Sequence, residues 1–393
     1  MRLLIVNQYA ITPALGGGTR HYEIASRLRD RGHDVIVLTS RFVHFTHRYD
    51  SERSAPHWWV RLWSTPYQTN VGPARLLSSI VFALHVLWWG VKHRRFDVVV
   101  GSVPDPFVAF AAYLVARAQH SRFVLEVRDL WPETLESMGV RIRPLLEVMR
   151  AAVNFMYRRA DSVIVLTPGI QCSLSKRVRS GKVILIPNGV DVTPFESARS
   201  AWEVRKELGL DRQFVLIYAG SHTASYGLET ILDAATLLRE KRDILFCFMG
   251  DGPEKPRLQR IAADRGLDNV RFLDPVPKHR VADVLCAMDV CIESQAPQEL
   301  FAGAMPNKLY DYLASDRPIL CINRGDGWRL VEAAGAGIQC EPGNPEDIAS
   351  AVQRLAQNPE LVKRLSGKGR RFVKEKFNWN KLSEMFERAV TDV

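Results

Sequence analysis

Cysteine is sparse and one-sided in this chain. The six thiols stand at 172, 247, 286, 291, 321 and 340, with none in the first 171 residues and no CxxC pair. That distribution excludes a disulfide framework and any metal-ligand spacing of cysteines, and it reads as reduced, mostly buried thiols of a cytoplasmic protein. Long apolar runs are also missing. The most apolar segment, LLSSIVFALHVLWWGVKHRR (76–95), is interrupted by Ser78, Ser79 and His85. Its apolar part of ~16 residues falls short of the ~20 that a spanning helix needs. The opening MRLLIVNQYA has one basic residue and only a short apolar stretch before Asn7 and Gln8, so it reads as a first strand rather than a signal peptide. No helix-turn-helix, zinc-finger or RNA-binding signature is present, which makes nucleic acid the weaker choice of partner, and none is expected. No short-period repeat is present either.

What is there is an ordinary globular composition, 47% hydrophobic and 24% charged over 393 residues. At ~100–200 residues per domain that length implies two domains. The net charge of +10 is unevenly spread. Residues 1–190 carry 25 Lys+Arg against 13 Asp+Glu, or +12, and the remainder carries 28 against 30, or −2. A basic front half calls for an anionic partner, either an acidic membrane surface or a pyrophosphate-bearing substrate.

Short apolar strands alternate with helix-length amphipathic stretches. RLLIVN (2–7), DVIVLTS (34–40), WWVRLW (58–63), FDVVVGS (96–102), RFVLEV (122–127), DSVIVLT (161–167) and VILIP (183–187) read as strands. Helices are expected at 20–31, 106–118 and 143–159. The pattern pauses at PNGVDVTPFES (187–197) and resumes with FVLIYAG (214–220), ILFCFMG (244–250), VRFLDP (270–275), DVCIES (289–294), PILCIN (318–323) and GIQCEP (337–342). Continuous apolar strands separated by helices mean parallel sheets covered on both faces. The fold class is therefore α/β, with two Rossmann-like domains at 1–190 and 191–378 and a junction near 188–212. A last helix at 379–391 is available to cross back onto the first domain. The 76–95 segment reads as a helix packed on the sheet, or as an interfacial element. In the second reading Trp88 and Trp89 lie at headgroup level, with Lys92, Arg94 and Arg95 toward anionic lipid. The two readings can coexist.

Five loops carry the chemistry. Gly16-Gly17-Gly18-Thr19-Arg20 joins the first strand to the first helix, where glycine lets the backbone approach a phosphate at a helix N-terminus, or forms a tight turn with no ligand. It is not a GxGxxG fingerprint, because Arg20 or His21 stands where the third glycine would be. Gly220-Ser221-His222-Thr223-Ala224-Ser225-Tyr226-Gly227 opens the second domain in the equivalent place and can cradle phosphate oxygens. Gly250-Asp251-Gly252-Pro253-Glu254 follows another strand. In Met305-Pro306-Asn307-Lys308-Leu309-Tyr310-Asp311, a proline suits the first helical turn, and Lys308 and Asp311 share one face. Lysine there can neutralise a phosphate and aspartate can accept from a ribose diol, or the two form a surface ion pair. Glu126-Val127-Arg128-Asp129-Leu130-Trp131-Pro132-Glu133 leaves a strand of the first domain as a site or as a salt-bridged loop. No Asp-x-Asp is found, so phosphate charge falls to backbone N–H groups, helix dipoles and basic side chains such as Lys308.

Taken together, GGGTRHYEIASRLRDRGHDVIVLTS, VILIPNGVD, GDGPE and PNKLYDYLASDRPIL resemble the retaining glycosyltransferase family 4, of the GT-B fold, over nearly the whole chain. EVRDLWPE and GAMPNKLYDYLAS resemble a bacterial surface-polysaccharide branch that includes N-acetyl-L-fucosamine transferases. The resemblance implies two domains facing across a cleft and a UDP-linked donor. It also implies a lipid-pyrophosphate-linked or glycan acceptor at the cytoplasmic face of an anionic membrane, and neither metal nor cofactor. It places donor contacts at Gly17, Gly18, Gly220, Ser221, His222, Gly252, Val276, Met305, Pro306, Asn307, Lys308 and Asp311. Arg128, Asp129 and Glu133 fall in the catalytic region, and Arg20, His21 and Trp131 fall to the acceptor. The family's ribose-binding acid falls on Asp311 and its donor-sugar glutamate on Gly303. Its arginine and lysine on the donor phosphates fall on Ser221 and Tyr226, and its catalytic-region histidine on Arg128. Lys308 is expected to replace the missing cations. Two other readings share the fold: a sugar-nucleotide 2-epimerase, and a non-catalytic nucleotide-sugar-binding partner of an assembly complex.

Overall fold

The apolar runs become strands, trimmed at their ends. The computed structural model describes residues 1–392 apart from 51–54, 70–71, 138, 179–180, 211–213, 299–302 and 304. Two units result, Met1–Pro187 with Trp379–Val393, and Asn188–Asn378.

In the first unit the strands are β1 (Arg2–Val6), β2 (Asp34–Ser40), the short pair β3 (Phe42–Val43) and β4 (Arg48–Tyr49), β5 (Trp59–Leu62), β6 (Val98–Val103), β7 (Arg122–Val127), β8 (Ser162–Val165) and β9 (Val183–Leu185). Seven form one sheet in the order β5-β2-β1-β6-β7-β8-β9, and β3 pairs with β4 apart from it. Every pairing in the large sheet is parallel. Parallel pairing needs crossover helices, which cover both faces, so Leu3, Leu4, Ile5 and Val6 are all fully buried. The helices Pro73–Lys92, Pro106–Ala118 and Arg143–Arg159 contribute to one core layer. Arg20–Asp30 and the last helix, Trp379–Thr391, supply the other. That last helix returns to the first unit by burying Trp379, Leu382, Phe386 and Val390. Arg31 and His33 hold its Glu387 at 2.9 and 2.7 Å.

The second unit contains β10 (Phe214–Ala219), β11 (Ile244–Met249), β12 (Val270–Leu273), β13 (Val290–Ser294), β14 (Ile319–Ile322) and β15 (Gly337–Cys340). They form one parallel sheet in the order β12-β11-β10-β13-β14-β15. In each sheet the winding reverses beside the first strand of the unit, between β1 and β6 and between β10 and β13. The carboxyl ends at such a reversal are where open α/β sheets receive ligands. Of the expected junction 188–212, residues 211 and 212 lie outside the described residues. The rest is no bare linker: it carries the helices Thr193–Glu196 and Ala201–Leu208 and buries Val204 and Leu210 in the second unit.

The 76–95 segment needs correcting. Its helix starts earlier, at Pro73, and its 20 residues are long and apolar enough to cross a membrane by length and composition alone. Proline at the first position supplies a start that hydropathy does not register. One face, with Ser78, Ser79, Phe82, Ala83, Val86, Trp89 and Gly90, is packed into the unit. Trp89 is therefore not at a headgroup level; it is buried and stacks on His93 at 3.6 Å between ring centroids. Leu77, Ile80, Leu84, Trp88 and Val91, at helical spacing, form an exposed apolar stripe. Lys92 lies 4.3 Å over the Trp88 ring.

Candidate active site

At the carboxyl end of β10 the chain turns at Gly220 into the second unit's candidate donor loop, and at the end of β11 it turns again at Gly250. The two turns are laced together. Gly220 N–H donates to Met249 O at 2.9 Å, His222 N–H to Asp251 O at 2.8 Å, and Glu254 N–H to His222 O at 3.0 Å. A β-carbon on Gly250 would stand 2.0 Å from Gly220 O, and one on Gly252 would stand 2.4 Å from His222 O. The glycines of the GDG segment are thus required by the neighbouring loop, since no side chain fits where its backbone runs. Gly252 N–H is taken by its neighbour's carboxylate, Asp251 Oδ1, at 2.8 Å. Gly250→Ala is expected to lower stability by about 1–3 kcal/mol or more, read as a lowered denaturant midpoint.

His222, expected as a donor contact, is turned the other way. Its ring is fully buried beside Tyr218, Phe248 and Phe272, and neither nitrogen has a hydrogen-bond partner. Burial, with the charges of Lys255 and Lys308, pushes its pKa down to about 4, so the imidazole is neutral. Both its backbone polar groups are used in lacing the loops, so His222 joins the two turns rather than facing a ligand. Ser221 is exposed. Lys255 tightens the same corner: its ammonium donates to Gly250 O at 2.9 Å and Leu273 O at 3.3 Å, beside Asp274. Sequence reading missed it, because a lysine after Pro-Glu looks like a solvated helix residue.

The helix Lys308–Ala314 brings the sole cation of the PNKLYDY segment to this corner. Lys308 Nζ donates to Tyr218 Oη at 2.6 Å and lies 3.9 and 3.6 Å from the ring centroids of Tyr218 and Tyr226. A β-carbon on Gly220 would come within 3.1 Å of that nitrogen. The alternative ion pair with Asp311 does not form; Asp311 Oδ2 instead receives Lys278 Nζ at 3.3 Å. Tyr312 Oη accepts from Ala219 N–H at 2.8 Å and donates to Ala219 O at 3.1 Å, pinning the end of β10 to this helix. Asn307 is exposed ahead of the helix, Pro306 is half-buried, and Met305 and Val276 pack against the core beneath. Gly303 is described, but its neighbours 299–302 and 304 are not.

In the first unit Gly17 and Gly18 are exposed after β1, with Gly16 and Gly17 at φ +79° and +71°. Arg20 and His21, expected at the acceptor, are 2% and 3% exposed and face inward. Arg20 Nε donates to Glu126 Oε1 at 2.7 Å, and its other nitrogens donate to Pro187 O and Ile186 O at 2.6 and 3.0 Å. His21 Nε2 lies 2.7 Å from Glu126 Oε2, which also accepts from Ser102 Oγ at 2.8 Å. Burial alone would push the Glu126 carboxyl up; the charges of His21 and Arg20 outweigh it and hold it well below the ordinary range. Burial lowers the pKa of His21, with Glu126 opposing.

Trp131, also expected at the acceptor, is buried in the core, and its Nε1 has no hydrogen-bond partner. Glu133 is spoken for by Arg177 at 2.9 Å. Of the EVRDLWPE segment, that leaves Asp129, which is exposed, and Arg128, which is half-buried with Nε unpaired. A second group was not foreseen. Asp105 caps the helix Pro106–Ala118 and accepts from Ser79 Oγ and from Tyr9 Oη at 3.3 Å, while Arg75 Nε donates to Tyr9 Oη at 3.4 Å. These residues lie far apart in the chain and converge only through the β1/β6 neighbourhood. Among the described residues no group of three His, Cys, Asp or Glu could hold a metal ion.

Comparison with known proteins agrees with this architecture. Residues 15–193 match the Glycosyltransferase Family 4 description, and residues 213–358 match Glycosyl transferases group 1. The chain is 25% identical over 336 residues to the putative colanic acid biosynthesis glycosyl transferase WcaI of Escherichia coli, covering 80% of this chain and 81% of that one. It is 22% identical to the probable glycosyltransferase WbjE of Pseudomonas aeruginosa, over 73% and 72% of the two chains. Among solved structures it is similar to Anabaena Alr3699/HepE in complex with UDP, with a TM-score of 0.76, 16% identity and 100% of both chains covered. With a family 4 domain ahead of a group 1 domain, together spanning most of its length, this chain is a glycosyltransferase of the GT-B fold.

Proposed function

We propose that the protein transfers a hexose, an N-acetylated amino sugar, from a UDP-linked donor to a lipid-pyrophosphate-linked acceptor in bacterial surface polysaccharide synthesis. In this reading the anomeric configuration is retained and no metal takes part. The observation that carries it is the Lys308 Nζ lying over the Tyr226 ring and against Gly220. Residue 226 is where the family resemblance expects a phosphate-binding cation, and a lysine from another helix supplies one there. The similarity to WcaI, named for colanic acid biosynthesis, and to HepE, which was solved with UDP bound, supports the polysaccharide and the nucleotide.

The bond from the anomeric carbon to the diphosphate breaks, and one to the acceptor oxygen forms. Lys308 stabilises charge building on the departing diphosphate, an interaction that strengthens in the transition state. Asp311 holds the ribose. Asp129, exposed at its backbone turn and facing the charges of Arg128 and Arg75, orients the acceptor hydroxyl; Glu133, held by Arg177, does not. Incubation of labelled UDP-sugars with undecaprenyl-pyrophosphate-linked sugars is the test. Transfer with retained configuration supports the proposal, an isomerised donor means an epimerase, and binding without turnover means a non-catalytic partner.

The acceptor's lipid fits a peripheral position at the inner membrane face. The exposed stripe Leu77, Ile80, Leu84, Trp88 and Val91 runs toward exposed Lys92, Arg94 and Arg95, an apolar surface ending in cations suited to anionic lipid. The double variant Leu84→Glu/Trp88→Glu is expected to lose tenfold or more of its binding to phosphatidylglycerol-containing vesicles. Turnover of a soluble acceptor analogue should stay intact. Undiminished flotation with vesicles would refute this face.

A further inference from the structure

Tyr218 lies in a strand, has no role in the reading above, and is fully buried. Its hydroxyl nevertheless does two things at the donor corner. It donates to Ser221 O at 2.7 Å, which uses its only proton, and it therefore accepts from Lys308 Nζ at 2.6 Å. One oxygen thus ties the lysine to the turn that precedes the candidate phosphate loop. The Tyr218 and Tyr226 rings bracket the same nitrogen, and Gly220 leaves it room that a β-carbon would crowd. We propose that Tyr218 is a positioning residue that holds the Lys308 amine beneath the Gly220–Ser221 turn, where the amine takes a proton from solvent as the donor diphosphate binds.

The groups around the amine bear this out. Glu293, at the carboxyl end of β13, is fully buried and accepts from Gln295 Nε2 at 3.2 Å and Cys321 Sγ at 3.4 Å. Burial pushes its carboxyl up, with the charge of Lys308 opposing. Tyr218 faces the amine from β10, Tyr226 and neutral His222 from the loop, and Tyr312 and Asp311 belong to its own helix. Among the described residues Glu293 is the carboxylate whose charge favours a cation there, and burial still pushes the Lys308 pKa down to about 7. Above pH 7 the free enzyme therefore holds mostly a neutral amine here. A diphosphate adds the missing negative charge, and the amine becomes a cation already in place.

This inference rests on Lys308 meeting the donor phosphates, so the experiment separates the two. Binding of UDP is measured by calorimetry at pH 8.5, where its terminal phosphate is fully ionised, in two buffers of different ionisation heat. Wild type, Tyr218→Phe and Lys308→Ala are compared. Wild type is expected to take up close to one proton per UDP. Tyr218→Phe keeps the ring but loses the oxygen, freeing the lysine toward water. It should bind about tenfold more weakly and lose most of the proton uptake, a change that mere loosening of the fold does not produce. If Lys308→Ala binds as wild type does, the underlying reading of Lys308 falls. If Lys308→Ala is weakened while Tyr218→Phe matches wild type in affinity and uptake, or if wild type takes up no proton, the role of Tyr218 falls alone.

Discussion

Replacing Lys308 with alanine is expected to lower kcat/KM for the donor by about 10²–10³, the loss seen when a preorganised donor to developing charge is removed, ~2.7–4 kcal/mol. The size follows from scarcity: Ser221 and Tyr226 bring no cation to the loop, and Lys255 is committed to the carbonyls of Gly250 and Leu273. A second signature is pH. With the Lys308 pKa lowered to about 7, the free enzyme carries an ammonium below that pH and an amine above it. The diphosphate of a nucleotide sugar has no titration near neutrality. Donor KM should therefore be flat below pH 7 and rise above it, by at most tenfold per pH unit. Lys308→Arg, whose planar guanidinium stacks on aromatic rings and stays charged, should remove that limb. Steady-state kinetics from pH 6 to 9 decide it. A kcat/KM within threefold of wild type for Lys308→Ala would end the case for this lysine.

The backbone was legible because its signal is local. A strand buried on both faces must be apolar at every position, and Leu3 to Val6 or Val98 to Val100 leave no other reading. The hairpin of Phe42–Val43 with Arg48–Tyr49 was not legible, since two residues a side make no period. The loops bearing chemistry could be found, but not the direction of their side chains. His222 sits in a small-residue loop yet points into the aromatic layer, and Arg20 opens a helix yet points into the sheet. Neither is decided by neighbours in sequence: a carboxylate 106 residues away turns Arg20 inward. Tyr218 and Glu293 were hidden for the opposite reason. They sit in strands read from their apolar neighbours, and the convergence of β10 and β13 gives them polar work. Lys308 could be anticipated because its helix shows no other basic residue.

Glu126→Gln is expected to be the most destabilising conservative change in the first unit, at about 3–5 kcal/mol, the cost of leaving a buried charge uncompensated. Arg20 is 2% exposed and cannot move its guanidinium to water without releasing Ile186 O and Pro187 O, the last residues before the chain enters the second unit. Glutamine keeps the shape but not the charge, so Arg20 remains buried with a neutral partner. At ~2–4 °C per kcal/mol for a unit of this size, thermal unfolding should shift down by roughly 10 °C. The pH dependence carries its own sign. A carboxyl held well below 4.5 stabilises the fold at all higher pH, and that stability drains as pH falls through the folded value. The lowered pKa of His21 acts in the same direction from 6.5 downward, because the unfolded imidazole takes up the proton first. Glu126→Gln should therefore lose most near neutrality and approach wild type in acid. The double variant Arg20→Met/Glu126→Leu, which removes both charges together, should recover part of the loss, since a buried pair replaced by apolar groups is often near neutral. If the single variant melts within 2 °C of wild type, Arg20 has found water or another anion, and the buried pair is not what holds this corner.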